Sequence, residues 1–144
     1  MLVAQILNSK PDAAVVTVQP GMTVAAATEL LSARRIGAVI VSADGRVPLG
    51  ILSERDVVRE LGRRGPACLS DPVTALMTAK LVTCTREDKA DQVLAMMTDG
   101  RFRHIPVMKG EAMEGIISIG DVVKARLSEL SMERDALEGM IMGN

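Results

Sequence analysis

The sequence predicts an α+β (α/β) fold in which one α-β-α-β-β-α unit occurs twice. The string SERDVV at residues 53–58 returns 65 residues later as SIGDVV at residues 118–123, and a Gly-Ile dipeptide precedes each copy. Upstream, Val16-Thr17 aligns with Val82-Thr83 at an offset of 66 residues. Because two copies fill the chain, we expect a closed pseudo-twofold pair rather than an open solenoid.

Each unit is predicted to begin with a short apolar helix, at about residues 2–8 and 73–79, followed by a short strand at 15–18 and 81–84. A longer helix comes next. Its apolar or small positions recur at i, i+3, i+4 and i+7, which is the spacing of one helix face. These positions are Val24, Ala27, Thr28 and Leu31 in the first copy and Ala90, Val93, Leu94 and Met97 in the second.

Two strands joined by a turn then complete each sheet, and a closing helix follows from about Ser53 and Ser118. The first pair, 38–41 and 49–52, surrounds Asp44-Gly45, a strong hairpin signal. The second pair, 105–108 and 113–117, contains Pro106, which predicts an edge position or a break in the ladder. We therefore predict repeat 1 at 1–61, a Gly- and Pro-rich linker at 62–72, repeat 2 at 73–127 and a helical extension at 128–144.

The composition of the 144 residues excludes several classes of function. A net charge of −1 and an aromatic content of 1%, Phe102 alone, argue against nucleic-acid binding. Hydrophobic residues make up 48% and include ten methionines, so we expect an aliphatic core with methionine as filler. Cys68 and Cys84 lack metal-site spacing, and we expect reduced thiols and no metal site. With no signal peptide and no membrane span, the chain is predicted to be cytoplasmic.

Three strings carry a resemblance to a known family: GILSERD at 50–56, RFRHIPV at 101–107 and SIGDVVK at 118–124. With the duplicated unit, they resemble a tandem pair of cystathionine-β-synthase (CBS) domains, or Bateman module, of the stand-alone bacterial kind. The resemblance implies a regulatory module that binds adenosine nucleotides in clefts between the repeats, and a homodimer. AMP is the ligand we expect first, with ADP, ATP or NAD(H) as alternatives.

Two pairs of polar residues stand at predicted helix starts. Ser53 with Asp56, and Ser118 with Asp121, have the spacing of a capping box, so they could serve only to satisfy backbone donors. The resemblance implies instead that each Asp binds ribose hydroxyls and each Ser binds phosphate or ribose. A helix N-terminus also favours anions. Both interpretations stay open from sequence alone.

The remaining candidates differ between the copies. Arg55 is a cation in the first turn of a helix, where a phosphate would offset the unfavourable dipole, and Gly120 takes its place in the second copy. Solvation or pairing with a glutamate is the alternative for Arg55. The resemblance places phosphate near Arg103 and His104. The full candidate set for nucleotide binding is Thr17, Gly37, Ala38, Ser53, Arg55, Asp56, Thr83, Arg103, His104, Ser118 and Asp121.

A second class of function is a ligand-free dimerisation or scaffold module. The last helix is predicted to continue past residue 127, and its apolar positions would either pack back on their own domain or bind a partner. These positions are Val123, Leu127, Leu130, Leu137 and Ile141. The sequence carries no nucleophile–base arrangement, phosphate-binding loop or metal motif, so we expect neither an enzyme nor a catalytic cofactor.

Overall fold

A computed structural model describes residues 1–10 and 15–143 of the chain. The α+β fold is confirmed. The helices are α1 (Val3–Ser9), α2 (Val24–Arg34), α3 (Glu54–Arg64), α4 (Ala90–Gly100) and α5 (Ile119–Ile141). The strands are β1 (Thr17–Val18), β2 (Ala38–Val41), β3 (Gly50–Ser53), β4 (His104–Lys109) and β5 (Ala112–Ser118). Two 3₁₀ turns, Pro66–Ser70 and Val73–Ala75, lie between α3 and α4.

The first half forms a three-stranded sheet in the order β1-β2-β3. Strand β1 is parallel to β2, with Thr17 opposite Ile40, and β3 is antiparallel to β2, with Ala38 opposite Ser53. Strand β2 is the central strand and is buried along its whole length. The predicted turn is also present: Gly45 has a φ of 77°, and Asp44 accepts hydrogen bonds from the N–H groups of Arg46 and Val47.

The second half departs from the prediction because of Pro106. We predicted a strand at 81–84, but among the described residues this segment makes only an isolated bridge between Cys84 and Val107. In the first half, the Ile40 N–H donates to the Val16 carbonyl at 3.0 Å. Pro106 aligns with Ile40, and a proline nitrogen has no hydrogen to donate. One ladder bond is therefore lost, which confirms the expected break.

The chain divides into two compact units that interleave the sequence repeats. One unit contains the described residues of Met1–Ala13, Thr83–Met108 and Gly115–Asn144, and the other those of Ala14–Val82 together with Lys109–Glu114. The first helix of the chain is thus grouped with the second sequence repeat, and residues 73–82 with the first. The repeat boundaries predicted from sequence stay a prediction.

Each unit has its own aliphatic core. In the first, Val3, Ile6 and Leu7 of α1 lie in one cluster with residues of α4, β4, β5 and α5. In the second, Val73 and Leu76 lie in one cluster with residues of α2, β2, β3 and α3. The helix predicted at 73–79 is only a 3₁₀ turn over Val73–Ala75, yet Val73 and Leu76 are buried.

The glycines of the two Gly-Ile dipeptides lie where these leading segments approach the sheets. A Cβ atom on Gly50 would lie 2.5 Å from Met77 Sδ and 3.0 Å from the Thr78 carbonyl oxygen. A Cβ atom on Gly115 would lie 2.8 Å from a Leu7 methyl carbon. These distances are below ordinary van der Waals contact. Neither residue has a positive φ, so close packing is what disfavours a side chain at both positions, more strongly at Gly50, where one contact is a backbone carbonyl.

The ends of α3 and α5 can be compared with the sequence prediction. The linker predicted from residue 62 begins later, because α3 continues to Arg64 and Gly65 ends it with a φ of 76°. Helix α5 continues past residue 127 as predicted and ends at Ile141. Residue 144, the end of the predicted extension, lies outside the described residues.

Candidate functional site

Both predicted helix-start pairs form complete capping boxes. At α3, the Asp56 N–H donates to Ser53 Oγ at 3.3 Å, and the Ser53 N–H donates to Asp56 Oδ2 at 2.9 Å. At α5, the Asp121 N–H donates to Ser118 Oγ at 3.1 Å, and the Ser118 N–H donates to Asp121 Oδ2 at 2.8 Å. Each box satisfies backbone donors that a helix end leaves unpaired. Both pairs therefore cap their helices.

Capping does not use all the hydrogen-bonding capacity of these carboxylates. An ionised carboxylate offers about four lone-pair sites, so it can cap a helix and still accept from a sugar hydroxyl. Asp56 is 8% exposed, and its Oδ1 atom accepts from Arg59 at 3.3 Å. This partner has a signal in the sequence, because residues three apart on a helix are neighbours.

Asp121 has a different neighbour, Lys10. The Lys10 ammonium lies 2.9 Å from Asp121 Oδ2 and donates to the Ile116 carbonyl at 2.8 Å. Burial alone would raise the pKa of Asp121. The hydrogen bonds from Ser118 and Lys10, together with the Lys10 charge, outweigh that effect, so the pKa lies below its ordinary value of 3.8. No sequence pattern indicates this ion pair, because the two residues lie in different repeats.

The sheet brings further candidates to each helix start. The Gly37 carbonyl accepts from the Glu54 N–H at 2.9 Å, and the Arg103 carbonyl accepts from the Ile119 N–H at 2.8 Å. These bonds are equivalent in the two copies. Each joins the residue before β2 or β4 to the first residue of α3 or α5. Ala38 is also paired with Ser53. In the first half, Gly37, Ala38, Ser53 and Asp56 thus form one polar junction.

The other predicted residues differ in burial and in the element that carries them. Thr17 pairs with Ile40 in β1 and is half-buried, whereas Thr83 is exposed and outside any regular element. His104 is the first residue of β4 and is half-buried. Arg55 is exposed in the first turn of α3. It lines an open surface depression with Glu54, Val58 and Arg59.

The two compact units divide the candidate residues in the same way as the two sequence repeats do. Thr17, Gly37, Ala38, Ser53, Arg55 and Asp56 belong to one unit, and Thr83, Arg103, His104, Ser118 and Asp121 belong to the other. Within the described ranges 1–10 and 15–143, no group of three or more His, Cys, Asp or Glu side chains could hold a metal ion. None of the helices in these ranges is long and apolar enough to cross a membrane.

Comparison with known proteins identifies the duplicated unit. A family profile described as CBS domain matches residues 3–63 and again 73–128. The CBS domain-containing protein CBSX3, mitochondrial, of Arabidopsis thaliana is 38% identical over 125 residues, which are 84% of this chain and 61% of that protein. This chain therefore spans about three fifths of the length of its plant relative.

Solved structures match over most of the chain. A CBS-domain protein from Agrobacterium tumefaciens is 44% identical, with a TM-score of 0.83 over 88% of this chain and 99% of that one. Two more distant structures contain ligands. A Pyrobaculum aerophilum CBS domain protein, complexed with AMP, is 22% identical, with a TM-score of 0.77 over 92% of this chain and 99% of that one. The CBS domain pair of the protein MJ0100, in complex with 5′-methylthioadenosine and S-adenosyl-L-methionine, is 20% identical, with a TM-score of 0.77 over 90% and 98%. These two show likeness of fold alone.

The profile matches both halves, the Agrobacterium structure covers the same architecture, and the capping boxes fall at equivalent positions in the two copies. The chain therefore belongs to the CBS domain family, as a tandem pair of CBS domains.

Proposed function

We propose that this CBS pair is a regulatory module that binds an adenosine-containing ligand, with AMP as the first candidate and ADP, ATP or NAD(H) as alternatives. The observation that carries the proposal is the pair of helix starts, each with a carboxylate at its third residue and a serine hydroxyl at its cap. The ligands named for the two distant CBS pairs share an adenosine group, which supports this class of ligand.

The chemistry at these helix starts suits a ribose next to a phosphate. A carboxylate can accept from both ribose hydroxyls, and free backbone N–H groups with the helix dipole favour an anion. The two copies are unequal, because the residue after Glu54 is Arg55 in one copy and Gly120 stands at the aligned position in the other. The cation beside the carboxylate also differs, because Lys10 lies 2.9 Å from Asp121 whereas Arg59 lies 3.3 Å from Asp56. We therefore expect different affinities at the two copies.

Calorimetry on nucleotide-stripped protein tests the proposal. We expect heat of binding with AMP, ATP, NADH or S-adenosylmethionine, and none with GMP at the same concentration. Asp56→Asn and Asp121→Asn each remove one charged acceptor. Each should weaken binding at its own copy by about 10- to 100-fold, because a hydrogen bond to a charged group contributes roughly 1.5–3 kcal/mol.

Asp44→Asn is the matched control. Asp44 also accepts two backbone hydrogen bonds, but it lies in the β2–β3 turn and outside the candidate set. This variant should lose stability without losing affinity. If none of the adenosine compounds binds, or if the double variant Asp56→Asn/Asp121→Asn binds them unchanged, the proposal is refuted.

A second candidate function is a ligand-free dimerisation or scaffold module, which the exposed end of α5 favours. Leu137, Met140 and Ile141 are all more than half exposed. Contiguous exposed apolar surface marks interaction sites. Deletion of residues 128–144 would then abolish self-association, while nucleotides would leave the melting temperature unchanged. In either case we propose that the chain acts as a homodimer.

A further inference from the structure

Helix α5 carries an exposed apolar stripe along most of its length. Val123, Leu127, Leu130, Leu137 and Ile141 are 40% to 84% exposed, and with Arg134 they recur at alternating steps of three and four residues. That spacing is the a/d seam of a two-helix coiled coil, here about 27 Å long. We call these six residues the α5 stripe.

The stripe lies on a different face of α5 from the one that packs in its own unit. Val122 and Ala125 are buried in the core cluster that includes α1 and α4. Glu129 forms an ion pair with the chain's amino terminus at 2.9 Å, which holds the same inner face. After Glu129, no residue of α5 up to Ile141 is buried. The stripe is therefore available for a partner helix.

We propose that the occupant of the α5 stripe is the same stripe of a second copy, paired antiparallel. This inference rests on the homodimer proposed above and does not depend on nucleotide binding. In the register that places Leu130 opposite the partner's Arg134, Leu127 lies opposite the partner's Leu137 and Val123 opposite the partner's Ile141. Every apolar member except Leu130 then has an apolar partner.

The charges that flank the stripe select the antiparallel orientation. In this register Lys124 of each copy lies beside Glu138 of the other, which gives two opposite-charge pairs. Glu133 of the two copies meets near the centre, where Arg134 of each copy supplies the opposite charge. A parallel pair would place Arg134 against Arg134 and Glu133 beside Glu138, so two sets of like charges would meet.

The first test measures the oligomeric state of the full chain, without nucleotide, by light scattering and analytical ultracentrifugation. Leu127→Glu should weaken the dimer at least tenfold, since residue 127 faces the partner's Leu137 in this register and a buried unpaired charge is expensive. Met132→Glu is the matched control: Met132 is 56% exposed and lies on the same helix but outside the stripe, so this variant should leave the dimer intact. Lys124→Glu should weaken the dimer, and Lys124→Glu/Glu138→Lys should restore it.

The second test fixes the orientation by disulfide cross-linking. Leu127→Cys mixed with Leu137→Cys should cross-link, whereas neither variant should cross-link alone, because the two positions face each other only in an antiparallel pair. Cys68 and Cys84 are buried, so they do not interfere. A monomer at all concentrations would overturn both the homodimer and this inference. A dimer that tolerates Leu127→Glu, or Leu127→Cys that cross-links with itself, would overturn the inference and leave the homodimer standing.

Discussion

Replacing Gly50, the glycine of the first Gly-Ile dipeptide, by alanine tests whether the segment that begins the second sequence repeat packs against strand β3 of the first. A Cβ atom on Gly50 would lie 2.5 Å from Met77 Sδ, 2.9 Å from Met77 Cγ and 3.0 Å from the Thr78 carbonyl oxygen. The methionine can move, but the carbonyl cannot move freely. It accepts from the Ile51 N–H at 3.0 Å, and the Thr78 N–H donates to the Ile51 carbonyl at 2.9 Å.

The expected magnitude follows from these contacts. Relief of the overlap needs a shift of about 1 Å in Met77 and a strained contact with the backbone, and overpacking of this kind costs about 1–3 kcal/mol. For a chain of this size, that lowers the melting temperature by roughly 2–4 °C per kcal/mol. Gly115→Ala should cost less, because its one short contact with the described residues is a methyl carbon of Leu7 at 2.8 Å.

The assay is denaturant unfolding followed by circular dichroism, with Gly62→Ala as the matched control. Gly62 lies in α3, where an added Cβ atom would meet no other part of the described chain within 4 Å, so this variant should gain about 0.5–1 kcal/mol. A double variant, Gly50→Ala/Met77→Ala, should recover part of the loss relative to the sum of the single variants. If Gly50→Ala is as stable as the wild type, or gains stability as Gly62→Ala does, the close-packing argument is wrong.

Three further predictions concern ionisable groups. The pKa of Asp121 is lowered, so the stability that its charged carboxylate contributes is present above the ordinary pKa of 3.8 and is lost as the pH falls through the lower folded pKa. The difference in stability between the wild type and Asp121→Asn, measured by thermal unfolding, should therefore shrink below about pH 4. Lys10→Met should cost about 0.5–2 kcal/mol in urea unfolding. It should cost less in the Asp121→Asn background, where the ion pair is already absent and only the hydrogen bond to the Ile116 carbonyl is left to lose. Burial raises the pKa of Cys84 to about 12, and Cys68 is also buried, so neither thiol should react with Ellman's reagent at pH 8 within minutes, and both should react after unfolding.

Local patterns in the sequence were sufficient for most of the secondary structure. The serine and aspartate three residues apart predicted both capping boxes, since the bonds join neighbours in the chain. Pro106 predicted the lost ladder bond, because the missing N–H donor is a property of that one residue. The prediction of a strand at 81–84 was wrong, because the hydrogen bond that Pro106 cannot donate is lost to a segment more than twenty residues away in the chain.

The candidate site was predictable in part. The polar junction of Gly37, Ala38, Ser53 and Asp56 follows from the repeat and from strand pairing, and the structure places these residues together. Lys10 was not predictable. Its partner Asp121 is in the other repeat, and nothing in the residues around either one indicates the pairing.

By itself, the amino-acid sequence determined the duplication, most of the helices and strands, the helix caps and the family, because each depends on residues close together in the chain or on the comparison of two copies. Only the tertiary structure decided that α1 belongs to the core of the second repeat and Val73 to that of the first, that Met77 and Leu7 lie close against two glycines, and that Lys10 pairs with Asp121. The physical reason is that such contacts join distant segments, and their energy depends on shape and distance that no local pattern records.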